Sequence, residues 1–127
     1  MHENYLMIQD MKSGKLFFLV NSKKEVDLLD KNLILLFGST QDFKNKINSF
    51  FPKTIWEDEG FGKSKTTDAF LEFYVGEEEV IEKFVMVEVL FTENPVKEVR
   101  GICDKYHWLL YDLDSEKYIN PENEIIS

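Results

Sequence analysis

Two segments of this chain have the apolar spacing of an amphipathic helix, and apolar runs of strand length surround both of them. The first helix is predicted to follow a capping residue, Ser39 or Thr40, and to end at Pro52, which cannot continue a helix. Its large apolar residues recur at the spacing that keeps one helix face against a core. They are Phe43, Ile47 and either Phe50 or Phe51.

The second helix is predicted to begin at Asn94, which serves as the capping residue, with Pro95 in the first helical position. Glu98 then lies in the first turn, where a negative charge stabilises the helix dipole. The apolar residues again share one face, which holds Val96, Val99, Ile102, Cys103 and Tyr106. Each helix therefore needs another layer of the protein to cover its apolar face.

The other apolar runs are shorter and rich in β-branched and aromatic residues, which favours strands. They span residues 5–11, 15–20, 33–37, 69–75, 84–91 and 108–111, with a brief return pairing at 118–119. Residues 53–68 are polar and contain Gly60 and Gly62, and this segment is predicted to be a long loop.

From residue 33 onward the predicted order is strand, helix, strand, strand, helix, strand. This order predicts an α+β, ferredoxin-like βαββαβ fold, in which two helices lie on one face of an antiparallel sheet. A chain of 127 residues with 43% hydrophobic residues has the size and the apolar content of one domain. We therefore expect a single domain over residues 1–127, with an N-terminal β-hairpin extension at 1–32, a ferredoxin-like core at 33–120 and an acidic tail at 121–127.

The charge of the chain is unevenly distributed along its length. The formal net charge is −9, yet residues 1–63 hold nine acidic and nine basic residues and are neutral. Residues 64–127 hold 15 acidic and six basic residues and account for the whole excess. Within the predicted domain the acidic residues concentrate in two clusters, Glu77, Glu78, Glu79 and Glu82, and Asp112, Asp114 and Glu116.

This distribution has two interpretations. The clusters are either ordinary solvated loops or parts of one negative surface that attracts a basic protein partner by long-range steering. Trp56 and Trp108 are candidate anchors for such a partner, although most aromatic residues are expected in the core. The acidic balance argues against direct binding of nucleic acid and of anionic membranes.

No motif in the sequence predicts catalysis, a metal site or a cofactor. Cys103 and His107 lie four residues apart, but Cys103 falls on an apolar helix face and His107 at a helix end, which favours structural roles. Asp112, Asp114 and Glu116 have the alternate spacing of a calcium loop, without its later glycine and glutamate. We therefore expect a hairpin turn with solvated acidic residues there.

A single cysteine favours a reducing compartment, because it cannot form an internal disulfide. The N-terminus lacks the basic region of a signal peptide, and the longest apolar run, residues 33–37, is far too short to span a membrane. We therefore expect a cytoplasmic protein.

Several aromatic and turn motifs resemble those of small bacterial immunity proteins of polymorphic or contact-dependent toxin systems. The motifs are Phe50-Phe51-Pro52, Trp56-Glu57-Asp58 with Gly62, Phe70-Leu71-Glu72-Phe73, and Trp108-Leu109-Leu110-Tyr111-Asp112. The resemblance implies a non-catalytic inhibitor that binds a cognate toxin, such as a nuclease. The alternatives are a small-ligand-binding or regulatory protein on a ferredoxin-like scaffold, and a structural subunit.

Overall fold

The computed structural model describes residues 14–57 and 60–119, which form nine strands and two helices. The elements are β1 (Lys15–Val20), β2 (Leu36–Ser39), α1 (Thr40–Phe50), β3 (Ile55–Glu57), β4 (Phe61–Lys65), β5 (Phe70–Tyr74), β6 (Val80–Glu82), β7 (Phe84–Leu90), α2 (Pro95–Tyr106), β8 (Leu109–Asp112) and β9 (Lys117–Ile119). The predicted strand at 5–11 and the predicted acidic tail at 121–127 lie outside the described residues. Neither described helix is long and apolar enough to cross a membrane.

Seven of the strands form one antiparallel sheet in the order β3-β4-β5-β7-β1-β8-β9. The other two, β2 and β6, form a separate antiparallel ribbon. The predicted α+β class with two helices and an antiparallel sheet is confirmed. The predicted antiparallel pairing of the 69–75 and 84–91 runs is confirmed, because β5 pairs with β7, although the connection between them contains β6, which was not predicted.

The predicted ferredoxin-like βαββαβ topology is wrong. The sequence predicts that the 33–37 run is a buried strand of the sheet, but only its end joins β2, which lies outside the large sheet. Gly38 has a φ of +139°, a conformation that L side chains rarely adopt, and the ribbon register shifts between Leu36 and Gly38.

Strand β1 instead lies inside the large sheet, between β7 and β8. Residues 15–20 are therefore part of the main sheet, and the prediction that placed them in an N-terminal extension is wrong. Three side chains of this strand, those of Phe17, Leu19 and Val20, are fully buried. A strand with side chains buried on both faces is favoured in the interior of a sheet, where neighbouring strands pair with both of its edges.

The predicted long loop at 53–68 is also wrong, because β3 and β4 lie within it. The residues of β4 that face the core are small, Gly62 and Ser64, so they give no apolar signal. Gly62 is small because the Trp56 ring lies over it, and a Cβ at this position would lie 2.4 Å from that ring. Ser64 is buried, with its hydroxyl hydrogen-bonded to that of Thr54.

Both predicted helices are confirmed. Ser39 caps α1, since its hydroxyl oxygen accepts a hydrogen bond from the backbone N–H of Asp42. Asn94 is the capping residue of α2 but makes no side-chain cap bond, and Pro95 occupies the first turn as predicted. At the end of α2, His107 adopts a left-handed conformation with a φ of 60°.

The core lies between the two helices and one face of the large sheet, which we call the inner face. Side chains alternate between the two faces of a strand, so Phe17, Leu19, Val85, Val87, Leu71, Phe73 and Leu110 share the inner face. They pack with Phe43 and Ile47 of α1 and with Val99 and Ile102 of α2. We call the opposite side of the sheet, against which neither helix packs, the open face.

Candidate acidic binding surface

The first acidic cluster lies on and beside the two-stranded ribbon. Glu77, Glu78 and Glu79 follow β5, and Glu82 ends β6. We call residues 77–82 together with β2 the acidic ribbon. It is connected to the large sheet through Lys83, after which β7 begins.

Hydrogen bonds from the start of α1 fix the backbone of this cluster. The N–H of Thr40 donates to the carbonyl oxygen of Glu79 at 2.9 Å, and the Thr40 hydroxyl donates to the carbonyl oxygen of Glu78. The N–H of Lys83 donates to the carbonyl oxygen of Leu35 at 2.8 Å. The chain therefore holds the backbone in place while the four glutamate side chains remain exposed.

These four carboxylates have no cationic partner within residues 14–57 and 60–119. The ion pairs in that part of the chain join Lys15 to Asp112 and Asp114, Lys46 to Asp42, and Lys63 to Glu57. Four carboxylates within six residues, none of them ion-paired with a described residue, give this end of the molecule an excess of negative charge. Such a surface attracts positively charged macromolecules over distances of about a Debye length.

Exposed apolar residues lie beside the charges. Val80 is 43% exposed, Leu36 is 61% exposed, and Ile34, just before β2, is 95% exposed. The acidic segment also lines an open cavity of about 810 Å³, whose other lining residues are Val75 and Phe84. Apolar residues beside a charged rim are the usual composition of a protein-binding surface.

The second acidic cluster lies at the opposite end of the sheet. Val20, at one end of β1, is opposite Phe84, next to the acidic ribbon. Near the other end of β1, Phe17 is opposite Asp112, and the N–H of Leu113 donates to the carbonyl oxygen of Leu16. The structure therefore does not bring the two predicted clusters onto one negative surface.

Lys15 neutralises part of this second cluster. Its ammonium group lies 2.8 Å from a carboxylate oxygen of Asp112 and 2.8 Å from one of Asp114. Burial alone would lower the pKa of Lys15, but hydrogen bonds to the two carboxylates outweigh it and raise that pKa. For Asp112 the directions are reversed. Burial alone would raise the pKa of this carboxyl group, but hydrogen bonds from Lys15 and from the Asp114 backbone outweigh burial and lower that pKa. Glu116 is exposed in the turn, with a φ of 56°.

The two predicted tryptophan anchors differ in their surroundings. Trp108 is only 5% exposed, and its ring lies 5.3 Å from that of Phe43 and 5.1 Å from that of Phe37. It belongs to the core and presents no surface for a partner. Trp56 is half-buried at the β3 edge, and its indole N–H donates to the side-chain oxygen of Asn48 at 2.9 Å, which ties this edge to α1.

Comparisons with protein-family models, with curated proteins and with solved structures returned no match.

The predicted structural roles of Cys103 and His107 agree with their positions. Cys103 is buried in the core, while His107 is exposed and ends α2, with the N–H of Trp108 donating to the carbonyl oxygen of Cys103. Among the residues that the structure describes, no three or more His, Cys, Asp or Glu side chains are arranged to hold a metal ion.

Sequence reasoning missed the exposed apolar residues on and beside the acidic ribbon. Ile34 and Leu36 belong to the longest apolar run of the chain, a pattern that predicts a buried strand. The missed signal is the glycine at position 38, directly after the run, because a strand with a central glycine is weak and often irregular. Only Phe37 of β2 reaches the core.

Proposed function

We propose that this protein is a non-catalytic inhibitor that binds a basic protein through the acidic ribbon, and that the partner is a cognate bacterial toxin, such as a nuclease, in the cytoplasm. The observation that carries the proposal is the combination of four carboxylates that have no ionic partner among the described residues with exposed Val80, Leu36 and Ile34 beside a hydrogen-bonded backbone. The resemblance to immunity proteins supports the choice of a toxin as the partner.

The physical role of the ribbon follows from its charge and its rigidity. Long-range attraction accelerates the encounter with a basic surface, and the effect falls as salt screens it. The exposed apolar side chains then contribute contact area that loses water on binding. Because the Thr40 hydrogen bonds already hold the backbone at residues 78 and 79, less backbone conformational entropy is lost there when a partner binds.

The test is co-expression with the product of the neighbouring gene, followed by binding measurements with the purified proteins. We expect the full chain to restore growth to cells that express a toxic neighbour and to bind that protein tightly. We expect the triple variant E77K/E78K/E79K to lower the association rate at low salt by at least about ten-fold. The carbonyl oxygens of residues 78 and 79 can still accept their hydrogen bonds from Thr40 in this variant, so we expect it to fold.

The matched control is D68K/E93K/D104K, which changes the net charge equally through three exposed acidic residues outside the ribbon. We expect its association rate to fall much less than that of the ribbon variant. Equal losses in the two variants would show a general effect of net charge and would overturn the ribbon as the binding surface. Absence of protection and of binding would overturn the inhibitor function itself.

A further inference from the structure

The open face of the large sheet is strongly aromatic. Alternation along the strands places Phe18, Phe61, Tyr74, Phe84, Met86 and Tyr111 on this side. The Phe18 and Phe84 rings stack with centroids 3.8 Å apart, and the Phe61 and Tyr74 rings meet edge to face at 5.1 Å. All six side chains are half-buried, whereas their neighbours on the inner face are fully enclosed.

Two carboxylates lie in the middle of this aromatic surface. Glu72 of β5 is directly opposite Glu88 of β7 in the strand register. The Tyr74 hydroxyl lies 2.8 Å from an oxygen of Glu72 and 3.3 Å from an oxygen of Glu88. A hydroxyl has one proton to donate, so the two carboxylates share a single donor. Burial and the hydrogen bond to Glu72 raise the pKa of Tyr74 well above its ordinary value, which keeps that proton in place.

This arrangement is unfavourable in the isolated protein. Like charges directly opposite each other on neighbouring strands destabilise a sheet. Neither Glu72 nor Glu88 takes part in an ion pair within the described part of the chain. Lys63 lies opposite Glu72 on the next strand, and its ammonium group lies 2.9 Å from a carboxylate oxygen of Glu57. A positive group placed between Glu72 and Glu88 would relieve their repulsion.

We propose that the open face binds an arginine-bearing segment of a partner protein, with the guanidinium group held between Glu72 and Glu88 and apolar residues of that segment packed on the surrounding aromatic rings. A guanidinium group has enough donors for two carboxylates, and its flat faces stack on aromatic rings. The inference does not depend on the proposed function, because it concerns a different face and a different set of carboxylates.

Charge complementarity selects this occupant over two others. A second copy of the chain bound through the same face would bring four carboxylates together without a compensating cation, which costs free energy. A neutral apolar segment would remove water from both carboxylates and leave them unpaired. An arginine-bearing segment covers the aromatic rings and pairs the charges at the same time.

The test is a nuclear magnetic resonance titration of the full chain with a capped five-residue peptide, in which one arginine is flanked by phenylalanine and valine on each side. The neutral comparison is the same peptide with citrulline in place of arginine. We expect saturable shifts in β5 and β7 around Glu72 and Glu88 with the arginine peptide. We expect the citrulline peptide to bind at least about ten-fold more weakly, since it lacks the charge.

The variant E72Q/E88Q keeps the shape of both side chains and removes both charges. We expect it to fold at least as stably as the parent and to lose most of the affinity for the arginine peptide. The single variant E88Q serves the same purpose if the double variant fails to fold. The matched control E77Q/E78Q removes two charges from the acidic ribbon and is expected to leave peptide affinity within about two-fold, because these charges lie off the open face.

Several results would overturn this proposal. They are shifts confined to the acidic ribbon, equal binding of the citrulline peptide, unchanged affinity in E72Q/E88Q, or self-association through β5 and β7 without peptide binding. The outcome of the toxin-binding test does not decide this proposal, because the two tests change different carboxylates. Loss of peptide affinity in E72Q/E88Q with unaltered toxin binding by E77K/E78K/E79K would support the open face and overturn only the ribbon.

Discussion

The two acidic clusters of this protein look alike in the sequence and differ in the structure. The acidic ribbon carries four exposed carboxylates without a cationic partner among the described residues, beside exposed Val80 and Leu36. At the other end of the sheet, Asp112 and Asp114 share the ammonium group of Lys15. The carboxylates of the acidic ribbon are therefore free of ion pairs with described residues, whereas the second cluster joins β1 to the hairpin of β8 and β9.

The difference teaches that a run of acidic residues does not by itself define a negative surface. Lys15 is almost one hundred residues from Asp112 in the chain, and only the antiparallel pairing of β1 with β8 brings them together. A charge contributes to binding when folding leaves it unpaired and exposed. The following three predictions test whether the two clusters are as different as their geometry indicates.

The largest effect is expected from Lys15→Met. Asp112 is 13% exposed at its side chain, so removal of the ammonium group leaves a mostly buried carboxylate without its ionic partner. We expect the free energy of unfolding to fall by about 2 kcal/mol, the range for a lost hydrogen bond to a charged group. Urea denaturation at pH 7 measures it. The control Lys97→Met changes an exposed lysine on α2, and equal losses in the two variants would show that the Lys15 pair is no stronger than a surface charge.

A smaller effect is expected in the acid dependence of stability. The pKa of Asp112 in the folded protein lies below its ordinary value of 3.8, because Lys15 and the Asp114 backbone stabilise the ionised form. The stabilisation is therefore complete above pH 3.8 and is lost as the pH falls through the lower, folded-state pKa. Urea denaturation at several pH values between about 5 and 2 measures this loss.

In Asp112→Asn this part of the acid dependence is expected to disappear, since the amide does not titrate. Glu78→Gln, at the other cluster, is the matched variant and is expected to keep the acid dependence of the parent. If Asp112→Asn retained the full acid dependence, the Lys15 pair would not be its source.

Local chemistry was predictable from the sequence, and long-range pairing was not. Ser39, Pro52 and Pro95 mark the helix ends, because capping and the loss of an N–H act within one turn. The predicted pairing of β5 with β7 was also found, because both strands are clear apolar runs that lie close together in the chain. Each of these signals lies within a few residues of the feature that it predicts.

Most of the errors concern contacts between residues far apart in the chain. The position of β1 between β7 and β8 depends on two partners that lie 60 or more residues further along the chain. The burial of Trp108 against Phe43 and the pairing of Asp112 with Lys15 likewise depend on residues far along the chain. Strand β4 was missed for a local reason: its inward residue Gly62 is small to fit the nearby Trp56 ring, so the apolar contribution comes from another strand.

The smallest effect is expected from Glu78→Gln on stability. The contact of Glu78 with the rest of the fold is made by its backbone, whose carbonyl oxygen accepts the hydrogen bond from the Thr40 hydroxyl. Its exposed carboxylate makes no ion pair with a described residue. The free energy of unfolding is therefore expected to change by less than about 0.5 kcal/mol, with a slight gain where repulsion from Glu77 and Glu79 falls. Urea denaturation at low salt measures the total change in the free energy of unfolding. The same measurement at high salt shows how much of that change comes from repulsion, because salt screens it. A loss as large as that of Lys15→Met would mean that the ribbon carboxylates hold the fold together, and the two clusters would then share one structural role.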